Sequence, residues 1–163
     1  MTPTPEIVER SAQPYVAITR SVTMAQLGTL PPLISDVFGW LADHGHEPAG
    51  PPFWKYNVID MAATLEVEVG VAVATPVPGD DLVGAGVVPA GRYVTVVHTG
   101  PPDSLEEATR ELLEWAEAQG LTWDVTVADD GEHWASRLEE YLSDPAQEPD
   151  LAKWQTRLAF RLA

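Results

Sequence analysis

Carboxylates set beside aromatic rings at alternating positions are the most distinctive chemistry in this sequence. In the run Arg137 to Leu142, residues 137, 139 and 141 share one face of an extended strand. Leu138 and Leu142 take the other face, where they are expected to pack under a helix. A carboxyl at Glu139 that is shielded from water has a raised pKa, and can attract a cation or act as general base on a water molecule. The plain alternative is a solvated face on which Arg137 and Glu139 are simply neighbours. Trp54 and Tyr56 are also two apart and can form one wall of a stacking slot for a planar ligand, with Tyr141 nearby and Trp134 or Trp123 as the opposite wall. Glu66 and Glu68 project side by side, and two like charges resist joint desolvation, so one is expected exposed or protonated. Glu68, next to Gly70, is the expected pocket member, because a glycine lets another molecule approach the backbone.

Other site chemistries find little support. The chain has no cysteine, which removes disulfides, thiolate metal sites and thiol nucleophiles. His44 and His46 form the one close histidine pair, but they fall at a helix end, where the dipole favours histidine, and lack a third ligand at recognisable spacing. No metal is expected. Gly84-Ala85-Gly86 opens no helix, so a nucleotide-binding loop is not indicated, and no Gly-Xaa-Ser-Xaa-Gly elbow is present. No cofactor is expected.

With 163 residues and 45% hydrophobic content, the chain fits one domain. Its 25 acidic and 9 basic side chains give a formal charge of -16. Such a surface repels phosphate backbones and anionic lipid, so nucleic-acid and membrane partners are not expected, while a cationic ligand or a protein partner stays open. The N-terminal residues carry neither a basic segment nor an apolar run, and no apolar stretch approaches the ~20 residues of a membrane span, which points to the cytoplasm.

The elements that must position these side chains are legible in outline. Thr64–Val73 alternates Leu65, Val67, Val69, Val71 and Val73 with smaller or polar residues, the period of a strand. Further strands are expected near Ile7 and Val8, over 14–22, over Phe53–Ile59, near Val83–Val88, from Arg92, over His133–Leu142 and over Trp154–Leu162. Leu33, Val37, Trp40 and Leu41 recur at helical spacing from about 30 to 45, ended by Gly45. A second helix over 104–119 shows Leu105, Ala108, Leu112 and Trp115, a Ser104/Glu107 capping box and a stop at Gly120. Between Thr75 and Gly91, three prolines and four glycines mark a connector.

That connector separates two similar halves. Tyr15-Val16 matches Tyr93-Val94, and Trp40 to Gly45 matches Trp115 to Gly120, the interval between the two anchors being three residues shorter in the second copy. Pseudo-repeats of about 5–74 and 83–162 are expected, each strand-helix-strand-strand. Together they would form an α+β fold, antiparallel, with both helices on one face and a groove across the opposite face.

Four segments carry a resemblance to a known family: Val67–Val73, Gly91–Leu105, Leu112–Gly120 and Glu139–Pro145. In this order and inside a duplicated unit, they resemble the GyrI-like small-molecule-binding domains. These include effector-binding domains of multidrug-sensing regulators, gyrase inhibitory protein and hydrolases of cyclopropane-bearing genotoxins. The resemblance implies a paired-repeat α+β fold whose central groove takes flat, lipophilic, often cationic molecules between aromatic side chains above a buried glutamate. That glutamate maps onto Glu139 or, with a one-residue slip, Glu140. The family's closing strand often reads Thr-Glu-Xaa-Tyr, where this chain has Thr156, Arg157, Leu158 and Ala159. The leading expectation is a stand-alone module that senses or sequesters lipophilic cations, with a Glu139 hydrolase or a protein-interaction module of the gyrase-inhibitor kind as alternatives. No DNA-binding segment is apparent, so a regulator in its own right is not expected.

Overall fold

The computed structural model describes residues 3–60 and 62–163. Ten strands, β1 (Glu6–Arg10), β2 (Gln13–Val22), β3 (Pro52–Ile59), β4 (Leu65–Ala72), β5 (Gly84–Val88), β6 (Gly91–Thr99), β7 (Val125–Ala128), β8 (Gly131–Trp134), β9 (Arg137–Tyr141) and β10 (Gln155–Arg161), make one sheet. Its order is β1-β6-β10-β9-β3-β4-β2-β5, with the β7–β8 hairpin attached to β3, and every pairing is antiparallel. Two helices, α1 (Pro31–Asp43) and α2 (Leu105–Ala118), complete an α+β fold.

Both helices stop for the same reason. Gly45 and Gly120 each take φ of 73°, a left-handed conformation that glycine adopts without a Cβ penalty. In each case the next amide reaches back to the helix: His46 N donates to the Leu41 carbonyl at 2.9 Å, and Leu121 N to the Ala116 carbonyl at 3.0 Å. The start of α2 differs from expectation. Ser104 ends a short 3-10 turn, and its hydroxyl donates to the Pro101 carbonyl at 2.7 Å instead of capping the helix.

The sheet is buried on both faces. Val67, Val69, Val94, Leu158 and Phe160 pack with Leu105 and Leu112 of α2, and Val16, Ile18 and Val71 with Val37, Trp40 and Leu41 of α1. The opposite face buries Tyr15, Ala17, Phe53, Tyr93, Leu138 and Ala159 with no helix among them. Leu138 therefore does not lie under a helix as expected; the residues that do are its alternates.

The expected strand over His133–Leu142 is two strands. Ser136, fully buried, interrupts it by accepting from Arg161 N at 2.9 Å, and Ala135 N turns to the Asp124 carbonyl. β7 was not anticipated. Its signal is Asp129-Asp130-Gly131 after alternating Val125 and Val127, a two-residue hairpin loop with Gly131 at φ 120°.

Gly70 does allow a close approach to the backbone, and what approaches is the chain's own Phe53. A Cβ at Gly70 would lie 2.9 Å from Phe53 Cζ and 3.1 Å from the Val16 carbonyl oxygen. Gly70→Ala is expected to destabilise the fold by about 1–3 kcal/mol, the range for overpacking. Urea unfolding measures it, and pairing the change with Phe53→Leu recovers part of the loss.

Candidate functional site

Strand register decides which side chains meet. Glu139 lies opposite Trp54 on β3 and opposite Leu158 on β10, and residues directly paired share a face. Leu158 packs with α2, so Glu139 stands on the helix-bearing face, among Trp54, Tyr56 and Tyr141. On the helix-free face, where the groove is expected from the sequence, Phe53, Tyr93 and Leu138 are instead buried in a cluster of their own.

The Glu139 carboxyl is 7% exposed. Tyr56 donates its hydroxyl to Oε1 at 2.6 Å and Tyr141 donates to the same oxygen at 3.3 Å. No ion pair among the described residues includes Glu139. Burial raises its pKa above the usual 4.5, opposed by the two phenols and the nearby Arg137 charge. The same burial, with the carboxylate alongside, pushes both phenols well above their ordinary range. Trp54 meets Tyr141 edge to face at 5.5 Å between ring centres, and its Nε1 is buried without a partner. Glu139, Tyr141, Tyr56 and Trp54 are thus brought together.

Trp134 stands at the side of this cluster, in an aromatic group with Trp123 and Phe160 whose centres are each 5.8 Å apart. Its Nε1 donates to Glu132 at 3.2 Å. The Arg137 guanidinium lies 4.6 Å from the Phe160 ring centre, 4.8 Å from Trp134 and 6.0 Å from Tyr56. Beside it a cavity of about 290 Å³ opens between Leu113 and Glu117 of α2 and Trp123, Glu132 and Trp134. Phe160 was not singled out from the sequence, although it alternates with Leu158 in the last strand and so shares the face of Glu139.

Glu68 is not part of this cluster. It projects from the opposite face, where Tyr15 donates to both its oxygens at 2.8 Å, Asn57 Nδ2 donates at 2.9 Å and Lys55 Nζ stands at 3.6 Å. Its neighbour in register, Lys55, pairs on that side because β3 alternates like β4 until a bulge between Tyr56 and Val58. Glu140 also faces away, held by Arg10 at 2.7 Å and Arg157 at 3.4 Å. Arg157 and Ala159, the positions that depart from the family's closing strand, fall on that same far face and take nothing from the surroundings of Glu139. His44 stacks on Trp40 at 4.1 Å and its Nδ1 bonds the Trp40 carbonyl oxygen, and no cluster of three metal-ligating side chains forms among the described residues.

A curled antiparallel sheet carrying two helices defines the class of this protein as an α+β domain. The chain belongs to the GyrI-like small-molecule-binding domain family, whose model matches residues 3–163. Its fold is similar to the EcmrR C-terminal domain, at TM-score 0.76 and 22% identity over 98% of this chain and 97% of that one. The chain spans 57% of the EcmrR chain in a DNA-bound transcription complex. It is also similar to SAV2435 bound to tetraphenylphosphonium (TM-score 0.64, 9% identity, 98% and 94% covered) and to a hydrolase from Listeria innocua (TM-score 0.57, 16% identity, 98% and 91% covered). At these identities the likeness is one of fold. No curated protein matches the chain by sequence. No helix among the described residues is long and apolar enough to cross a membrane.

The raised Glu139 pKa sets a pH dependence. A carboxyl whose folded pKa exceeds its unfolded value binds more protons in the fold, so its contribution to stability is full below the unfolded value and is lost as pH rises through the folded one. Glu139→Gln removes this term. The stability difference between wild type and Glu139→Gln is therefore expected to be flat below about 4.5 and to move in favour of the variant as pH rises above it. Paired thermal melts across pH 3.5 to ~7.5 measure it; a difference independent of pH would place the titration of Glu139 at its unfolded value.

Proposed function

We propose that this domain binds lipophilic cationic small molecules, for sensing or sequestration, between Trp54, Tyr56 and Tyr141 with Glu139 as the anionic floor and Trp134 at the side. The single observation that carries the reading is the Glu139 carboxyl, buried and held by two phenols but without an ion-pair partner among the described residues. A buried carboxylate is costly alone and gains most from a cation that brings its own apolar surface. Aromatic rings then supply area and cation–π attraction without a demand for one ligand shape. Binding of tetraphenylphosphonium by SAV2435 supports this ligand class. The site is built on two pseudo-repeats, about 5–74 and 83–162; the matching helix ends and the sheet order, β2-β4-β3 against β6-β10-β9, support that division.

A hydrolase reading draws on the same carboxyl, because burial raises its pKa and so strengthens it as a general base. It requires a water between Glu139 and an electrophilic carbon, and turnover of a cyclopropane-bearing substrate that Glu139→Gln abolishes would favour it over binding alone.

Titration with tetraphenylphosphonium, followed by tryptophan quenching, tests the binding reading. Wild type is expected to bind, and Glu139→Gln, which keeps shape and removes charge, to bind about 10- to 100-fold more weakly, the worth of a desolvated charged contact. A cation favours the ionised carboxylate, so wild-type affinity is expected to rise with pH through the Glu139 titration while the variant stays flat. Equal affinities in the two proteins would remove Glu139 from the site.

A further inference from the structure

The neighbourhood of Glu139 already contains a cation. Arg137 sits two residues before it on the same face of β9, with its guanidinium between Phe160 and Trp134 and near Tyr56. This is the geometry in which an aromatic cage receives a positive ligand, and here the chain supplies the occupant. The occupant is loosely held. No ion pair or side-chain hydrogen bond among the described residues includes Arg137, and its Nε is buried without a partner. Three other arginines are anchored by carboxylates: Arg10 and Arg157 on Glu140, Arg161 on Asp124. Arg137 also lines the cavity of about 290 Å³, and Glu117 and Glu132 line it too, in a position to receive a displaced guanidinium.

We infer that Arg137 is a resident cation that sets the charge preference of the site: a cationic ligand must displace it from the Trp134–Phe160–Tyr56 cage, whereas a neutral planar ligand carrying an acceptor can bind with it in place. The inference rests on the binding reading above and adds its selectivity. Two consequences follow from the chemistry. Removing the charge of Arg137 frees the cage and leaves carboxylates, Glu139 with Glu117 and Glu132 beside it, as the charges near a ligand, which favours cations. It also removes a donor, Nε, that has no partner among the described residues and that a carbonyl oxygen of a neutral ligand can accept from.

A matched pair of fluorescent probes separates these effects: 10-methylacridinium is a planar cation, and 10-methylacridone has the same ring system, no charge and a carbonyl acceptor. The ratio of their dissociation constants is measured for wild type, Arg137→Met and Arg137→Lys. Arg137→Met is expected to shift the ratio toward the cation by on the order of tenfold, the worth of a partly desolvated cation–π contact. Arg137→Lys keeps the charge and is expected to stay within about threefold of wild type, which also tests the inference should the methionine variant fail to fold. A ratio unchanged in Arg137→Met, or moved equally by the lysine variant, overturns the role of Arg137 while binding itself stands. Absence of binding by either probe in all three proteins overturns the binding reading and this inference together.

Discussion

The hydrogen bond from Tyr56 to Glu139 crosses the seam on which this molecule is assembled. β3 belongs to the first half of the chain and β9 to the second, and they are joined by the short register Phe53–Lys55 against Leu138–Glu140, extended by β8. Each of these paired positions is used. Phe53 and Leu138 fill the helix-free face, Trp54 and Glu139 meet on the helix-bearing face, and Lys55 and Glu140 enter the polar networks of the far side. A carboxyl placed at such a seam is deprived of water by both halves at once. Its electrostatics therefore report how closely the halves sit, and anything that binds there bears on both.

The helices and most strands could be read from the sequence because their signals are local. Gly45 and Gly120 announce a left-handed turn wherever they sit, and the alternation of Leu65 to Val73 needs no knowledge of its partners. What could not be read was the identity of each face. Alternation sorts residues into two sets, but here both sets are buried, one under helices and one against Phe53, Tyr93 and Ala159, so apolarity alone does not say which is which. Leu138 and Glu139 were assigned to the wrong sides on that account. Glu68 looked equivalent to Glu139 for the same reason. Its partner Tyr15 lies far away in sequence, and nothing local distinguishes a carboxylate satisfied by Tyr15 and Asn57 from one enclosed by Tyr56 and Tyr141. Tyr56, Tyr141 and Trp54 could be found because they sit two apart from one another or from the carboxylate; the Arg137 cage could not, because Phe160 and Trp134 reach it from separate strands.

The charge balance acquires a spatial meaning in the fold. Arg10, Lys55, Arg157 and Arg161, four of only nine basic residues, are spent on internal pairs with Glu140, Glu68 and Asp124. The acidic residues of α2 have little to answer them: Glu107 meets Arg110 at an exposed 3.4 Å contact of small worth, and Glu106, Glu111, Glu114 and Glu117 share the same helix. The helix-bearing side thus carries an excess of negative charge along α2.

The outermost strands are exchanged. β1 opens the chain but pairs with β6 of its second part, and β5 follows the connector but pairs with β2 of the first part. Neither half, taken alone, possesses its own outer strand. Each would leave a long unpaired row of amides on β2 or β6, open to association with any other extended chain. The molecule is in effect two arms folded across each other, and its parts cannot be fully formed one after the other. Pairings this distant in sequence carry the loop-closure cost that slows folding. The same clasp ties the two ends of the sheet, so that widening the seam around a bound molecule must be shared across the whole curl and cannot be confined to the strands that line it.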